Sequence, residues 1–384
     1  MNYDFDKLIE RRGTGCVKWD EMPSPSVIPL WVADMDFAVA PAIQEAIRQR
    51  AQHPIFGYTY VQDDYYDAVI SWYERRHHWK IEREWILYTT GVVPAMSVAI
   101  KALTMPGEKV LILSPDYNCF FSSVKNNGCE VAECVLRFHR SNERFEVDWE
   151  DFEAQCADEK TTLFLLCNPH NPTGRVWSRE ELERMRDICH KHHVRIVSDE
   201  IHCELIMPGH IFYTMGLIDE DAIILSSPSK SFNIAGLMMA NIFCRDAATR
   251  RRLDRAININ EVCDVNPFAP VAVKAAYNES EDWLDALNLY LYDNYQALCD
   301  YVAQNLILWR VMPLEGTYLV WVDCSACCDQ AATYCEDILR EARVWVNPGT
   351  MYGPQSGKGY LRINIACPRS RLMEALERIK NMKI

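Results

Sequence analysis

Short, uniformly apolar runs alternate with stretches of helical spacing through the middle of the chain. Lys109–Leu113, Thr161–Cys167, Val194–Ser198, Ala222–Leu225 and Asn241–Cys244 are compact apolar segments bounded by turn residues, and they predict buried strands. Pro41 opens a helix to about Gln52, because Ile43, Ala46 and Ile47 repeat at helical spacing and proline suits a first turn. An apolar helix follows Gly91 and continues to about Leu103. Ser178, with Glu181 three residues on, forms a capping box for a helix to about His193, and helical patterns return over about Pro270 to Asn305. Strands alternating with helices predict an α/β fold: a mostly parallel sheet with helices on both faces. The carboxyl-terminal pattern is different. Gly316–Asp323 and Tyr360–Ile365 alternate polar and apolar residues like half-exposed strands, which predicts a smaller α+β domain joined by the irregular first forty residues. The expected division is a large domain over 46–284 and a small one formed by 1–45 and 285–384.

Ligands of parallel sheets bind at the carboxyl ends of the strands. Four chemically complementary residues fall at such ends: Tyr117, Asn171, Asp199 and Lys230. Lys230 lies in the small-residue turn Ser226-Ser227-Pro228-Ser229-Lys230-Ser231-Phe232-Asn233. An amine held there among hydroxyls can bind an aldehyde cofactor as a Schiff base, whereas an isolated turn lysine is merely solvated. The free amides at the helix start after Gly91 suit a phosphate. The aromatics of Phe56-Gly57-Tyr58-Thr59-Tyr60 read, by themselves, as surface packing.

Composition narrows the partners. The 384 residues are 49% hydrophobic and 24% charged, with a net charge of −14, which disfavours nucleic acid and leaves small metabolites. The amino-terminal stretch shows no secretory pattern and no apolar run is long enough for a membrane span, so the expectation is a cytoplasmic protein with no membrane partner. Sixteen cysteines sit mostly within apolar runs, as reduced core thiols do. The Cys324, Cys327, Cys328 group and the His190, His192, His193 group read as structural thiols and a solvated face, so no metal is expected at either.

Asn168-Pro169-His170-Asn171-Pro172-Thr173-Gly174, Ser198-Asp199-Glu200-Ile201-His202, Ser227-Pro228-Ser229-Lys230 and Arg362 together resemble fold type I pyridoxal-phosphate enzymes of the aspartate aminotransferase superfamily. Trp31-Val32-Ala33-Asp34-Met35-Asp36-Phe37, Gly91-Val92-Val93-Pro94, Ser231-Phe232-Asn233-Ile234-Ala235-Gly236 and Glu315-Gly316-Thr317-Tyr318 are similar to the cystathionine β-lyase or C–S lyase branch, which includes cystalysin-type enzymes. The resemblance implies pyridoxal 5'-phosphate as cofactor. It implies Lys230 as covalent anchor and base, Asp199 as partner of the pyridinium nitrogen, Asn171 at the ring 3'-oxygen and Tyr117 stacked on the ring. Gly91, Val92, Val93, Ser227 and Ser229 would hold the phosphate, Tyr58 would reach it from the other subunit of a homodimer, and Arg362 would clamp the carboxylate of an amino-acid substrate. Trp31, Asp34, Met351 and Tyr352 are implied as further pocket residues. Two positions depart from the aminotransferase pattern: Met238 stands where many carry an arginine, and His202 where a tyrosine is common. The expected reaction is therefore β-elimination at a carbon–sulfur bond. An aminotransferase and a cofactor-binding regulatory protein without turnover are the alternatives.

Overall fold

Seven strands build the central sheet: β1 (Ile86–Thr89), β2 (Lys109–Ser114), β3 (Glu130–Val135), β4 (Thr161–Cys167), β5 (Arg195–Asp199), β6 (Ile223–Ser226) and β7 (Ala240–Phe243). They lie in the order β1-β7-β6-β5-β4-β2-β3. The pairs from β3 through β6 are parallel, and β7 is antiparallel to both its neighbours, β6 and β1. The structure, a computed structural model, describes residues 3–21, 24–259, 261, 264–328 and 330–382. Met1 and Asn2, at the start of the amino-terminal stretch, lie outside the described residues.

The uniform apolarity of the strands has a simple cause: both faces are covered. Leu163, Leu165 and Cys167 of β4 join one apolar cluster with the Val92–Leu103 and Ala247–Ile259 helices, while Phe164 and Leu166 join a second, larger cluster on the other face. Successive strand residues point to opposite faces, so a strand buried twice cannot afford polar positions. The Arg179–Lys191 helix starts with the expected capping box between Ser178 and Glu181. The helical pattern near the carboxyl end divides at Ser280 into Ala269–Glu279 and Glu281–Asn305, where the Ser280 hydroxyl donates to Ala275 O and the backbone leaves helical geometry.

A second sheet contains β8 (Arg310–Val311), β9 (Leu319–Asp323), β10 (Asn347–Pro348) and β11 (Tyr360–Asn364), in the antiparallel order β8-β9-β11-β10. Arg362 lies across from Trp321 on β9 and Asn347 on β10, and is buried there. The amino-terminal segment ties this sheet to the Lys230 turn. Asn364 Nδ2 donates to Val32 O at 2.5 Å and Asp34 O at 2.6 Å. From the other side, Asn233 accepts from Met35 N at 3.0 Å and donates to Met35 O and Phe37 O. Both asparagine side chains replace backbone partners that an irregular buried segment lacks.

Buried charge fixes the same segment. Asp36 accepts from Arg11 at 2.7 Å and Trp19 Nε1 at 2.9 Å, and Lys18 Nζ stands 3.4 Å from it. Burial opposes the Asp36 charge, but Lys18, the Trp19 N–H and Arg11 together hold its pKa below the ordinary value.

Candidate active site

Parallel register brings the strand ends together. Cys167 at the end of β4 is the lateral partner of Asp199 at the end of β5, so the loops that follow open on the same edge of the sheet. A cavity of about 270 Å³ occupies that edge. Lys230, Asp199, Asn171, Tyr117 and His202 all line it. Thr90, Gly91, Val92 and Val93 close one end, where the Val92–Leu103 helix begins, and Ser229 borders it from the lysine turn. The first amides of that helix have no intrahelical partners, so this end of the cavity favours an anion.

Lys230 Nζ donates to Ala33 O at 2.6 Å, and the Tyr318 hydroxyl donates to the same oxygen at 3.0 Å. Burial, with Arg362 nearby, lowers the Lys230 pKa to about 8, against the opposing pull of Asp34 and Asp199. Asp199 is buried at the sheet edge and accepts from Ile201 N at 3.1 Å. Burial raises its pKa to about 7, although the Ile201 N–H and Lys230 pull it down. His202 is buried with its Nδ1 unpartnered among the described residues. Burial, with Lys230 and Arg362 nearby, lowers its pKa well below the ordinary value.

Arg362, on the second sheet, meets the cavity wall through Asn171. It donates through Nη1 to Asn171 Oδ1 at 3.1 Å and through Nη2 to Trp31 O at 2.8 Å, while Nε has no partner among the described residues. Its guanidinium lies over the Tyr352 ring, 4.6 Å from the centroid. Asn347 steadies both neighbours by donating to Trp31 O and the Tyr352 hydroxyl, each at 3.0 Å. The side-chain oxygen of Asn171 is committed to Arg362, which leaves its amide nitrogen to serve another acceptor.

Seven expected residues do not line the cavity: Arg362, Trp31, Asp34, Met351 and Tyr352 stand behind its wall on the side of Asn171 or the amino-terminal segment, and Ser227 and Tyr58 stand apart from it. Ser227 does not line the cavity: its hydroxyl donates to Met239 O at 2.6 Å and accepts from Ser229 N at 3.1 Å, holding the turn. Tyr58 is 98% exposed and away from this chain's cavity. Sequence reasoning missed the Ala33 carbonyl, Cys167, Ile201 and Ala235 among the lining residues. A main-chain oxygen leaves no side-chain signal, and the others are apolar or weakly polar residues indistinguishable in sequence from core. The His190 group meets carboxylates instead of standing free, with His190 Nε2 3.0 Å from Asp219 and His192 Nε2 3.5 Å from Glu153.

Residues 25–379 match the model of the aminotransferase class I and II family. The chain is 38% identical to the cystathionine beta-lyase PatB of Bacillus subtilis (strain 168), over 98% of this chain and 99% of that protein. It superposes on cystalysin from Treponema denticola, whose structure contains a pyridoxal 5'-phosphate cofactor, with a TM-score of 0.95, 34% identity, and 99% and 98% of the two chains covered. A PLP-bound protein of Clostridium difficile 630, described as an aminotransferase, gives a TM-score of 0.95 at 40% identity over 99% of each chain.

Proposed function

The chain belongs to the aminotransferase class I and II family, in its pyridoxal-phosphate carbon–sulfur lyase branch, and on that premise we propose β-elimination of cystathionine or a related cysteine S-conjugate. The products are a thiol, pyruvate and ammonia. The observation that carries the reading is the convergence of the Lys230 amine, the Asp199 carboxylate and an amide-rich helix start on one cavity, with the Arg362 guanidinium bonded to Asn171 on its wall.

The residues fit pyridoxal 5'-phosphate. Free helix amides and Ser229 suit its phosphate, the buried carboxylate of Asp199 suits a protonated ring nitrogen, and the unpartnered His202 Nδ1 and the Asn171 amide suit polar ring substituents. Bound there, the cofactor supplies a carbonyl carbon for the substrate amine and an electron sink for the Cα electron pair. The protein's own residues do the rest. Arg362 binds the α-carboxylate through its planar fork and so fixes which bond at Cα faces the lysine. Lys230, whose pKa burial lowers from that of an ordinary lysine, would take the Cα proton. Asp199 would hold a proton on the ring nitrogen, and Tyr117 would stack on the ring. Gly91, Val92 and Val93 would hold the phosphate, while Ser227 shapes the turn. With the proton removed at Cα, the sulfur would leave Cβ as thiolate, and hydrolysis of the released product would give pyruvate and ammonia.

The wider reading takes residues 46–284 as the cofactor-binding domain and 1–45 with 285–384 as the smaller one. It takes the working unit as a cytoplasmic homodimer in which Tyr58 crosses to the partner's phosphate, for which its 98% exposure in one chain is the support. Methionine at 238, on the cavity wall, in place of an arginine supports elimination over amino transfer. The test is pyruvate and thiol release from cystathionine without added keto acid, alongside Lys230→Ala. Pyruvate from the parent and none from the variant is expected. Amino transfer that requires a keto acid and yields no pyruvate would replace the lyase by an aminotransferase.

A further inference from the structure

A larger cavity, about 620 Å³, lies on the molecule away from the cofactor-site residues, and His77, Cys203 and Glu204 line it. Their side chains each offer one ligand atom, and these atoms all lie within 4.8 Å of one another. They come from two elements. His77 ends the Asp63–His77 helix, while Cys203 and Glu204 belong to the turn that follows Asp199 and His202. In the group of His190, Asp219 and Asp221 two members are exposed, whereas here Cys203 is 4% and Glu204 6% exposed, and the His77 side chain 6%.

We propose that His77, Cys203 and Glu204 form a binding site for a divalent transition-metal ion of the zinc class. One imidazole nitrogen, one thiolate and one carboxylate form a borderline-soft donor set that suits zinc and disfavours calcium or magnesium. Ligands of a tetrahedral zinc ion stand about 3.3–3.6 Å apart at ordinary bond lengths. The Cys203 Sγ to Glu204 Oε1 separation is 3.8 Å, close to that spacing. His77 Nε2 lies 2.7 Å from the same oxygen, so this pair opens by roughly half an ångström on binding. Coordination replaces protons already there: the thiol proton and any proton on His77 Nε2 pass to solvent.

The surroundings are built for such an ion. Trp72 Nε1 donates to Glu204 Oε1 at 2.6 Å, a contact that orients the carboxylate as outer hydrogen bonds orient metal ligands. The His77 ring is held between Tyr73 and Phe212, at centroid separations of 5.2 and 5.4 Å. Arg76 is the nearest cation, 3.6 Å from Glu204 Oε2, but its guanidinium is also engaged by Asp285 at 2.9 Å and Glu281 at 3.2 Å. Asn288 donates to Glu204 O at 2.7 Å and keeps its buried Oδ1 unpartnered among the described residues. Three protein ligands beside an open cavity leave the fourth position to water. The ion ties the end of a helix to the turn that follows Asp199 and contains His202, so its role is to hold that turn, and the inference does not depend on which reaction the cofactor site performs.

Chelator-stripped holoenzyme, dialysed against buffered zinc alone, should retain one ion per chain, and its zinc X-ray absorption should show one sulfur and otherwise nitrogen and oxygen neighbours. Cys203→Ala and His77→Gln should each weaken zinc affinity at least about tenfold, and Cys328→Ser should leave it unchanged. His77 ends its helix, so His77→Gln remains informative if Cys203→Ala fails to fold; a thermal melt checks both. Absence of stoichiometric zinc, unchanged affinity in His77→Gln, or two or more sulfur neighbours would overturn the assignment. The last result would place the ion at the Cys324 and Cys328 thiols instead.

Discussion

Arg362 donates through Nη1 to the side-chain oxygen of Asn171 at 3.1 Å, joining the second sheet to the loop that follows β4 of the first. Because Asn171 follows the strand beside Asp199, this one hydrogen bond sets where a carboxylate bound by Arg362 stands relative to the cofactor-binding edge. It also turns the Asn171 amide nitrogen toward another acceptor.

Arg362→Ala should therefore lower kcat/KM for pyruvate release at least about 100-fold. Cofactor affinity should fall far less, because Arg362 contacts Asn171 and not the helix start. Arg362→Lys should recover little, since a point charge cannot reproduce a planar fork. Cofactor content from absorbance, measured beside the kinetics, separates the effects. Equal loss of both would assign Arg362 to cofactor binding.

The two serines of the lysine turn should separate in the same way. Ser229→Ala removes a hydroxyl on the cavity wall and should weaken cofactor binding about tenfold with little change in stability. Ser227→Ala leaves Met239 O without its 2.6 Å donor and should cost about 1–2 kcal/mol in urea unfolding of the cofactor-free protein. The reverse ranking would return Ser227 to the phosphate site.

Asp199 carries a signed pH prediction. Burial raises its pKa from 3.8 to about 7, so the cofactor-free folded state holds this proton where the unfolded chain has lost it. Folding then bears no penalty from this group below the unfolded value. It loses about 1.4 kcal/mol per pH unit between the two values and keeps the full penalty above the folded one. Cofactor-free Asp199→Asn should gain stability over the parent progressively across that window, with a constant margin above it. With cofactor present the order should reverse, because the amide cannot hold the ring nitrogen's proton. Urea titrations of both forms across pH decide the matter. A pH-independent difference in the cofactor-free protein would sink the prediction.

Asp36→Asn should destabilise the protein by about 3–5 kcal/mol, because it strips a buried partner from Lys18 and Arg11. The damage should reach activity, since Asp36 lies in the segment whose Ala33 carbonyl accepts from Lys230. A substitution that lowers the melting temperature yet leaves kcat unchanged would show the segment to be positioned without this network.

Much of the fold was legible because burial on two faces forces a distinctive pattern. β2, β4, β6 and β7 are apolar at most positions, β5 carries the apolar pair Ile196 and Val197, and the alternation of helices between them implies parallel pairing. β3, at the sheet edge, alternates exposed and buried residues in Glu130–Val135, and so lacks the signal that marked the interior strands. β1 is only four residues long, and two of them are half-buried. The Asp63–His77 helix, which supplies His77 to the second cavity, mixes buried aromatics with charge and gives a weak amphipathic pattern.

The chain's own residues determined the chemistry at the strand ends: an amine, a carboxylate, an amide and an aromatic, each in a local motif readable without coordinates. Tertiary structure decided how those groups meet. Parallel register sets Cys167 beside Asp199, and the second sheet carries Arg362 to Asn171 across 191 positions of sequence. Ser227 illustrates the limit, because the local motif supplies a hydroxyl but only packing against Met239 shows that it is already engaged. The same holds for Ala33: a main-chain carbonyl has no residue identity, so its place at Lys230 exists only once the amino-terminal segment is stitched between Asn364 and Asn233. Side-chain type and local propensity are written residue by residue, whereas long-range pairing follows from the shared burial of segments far apart in the chain.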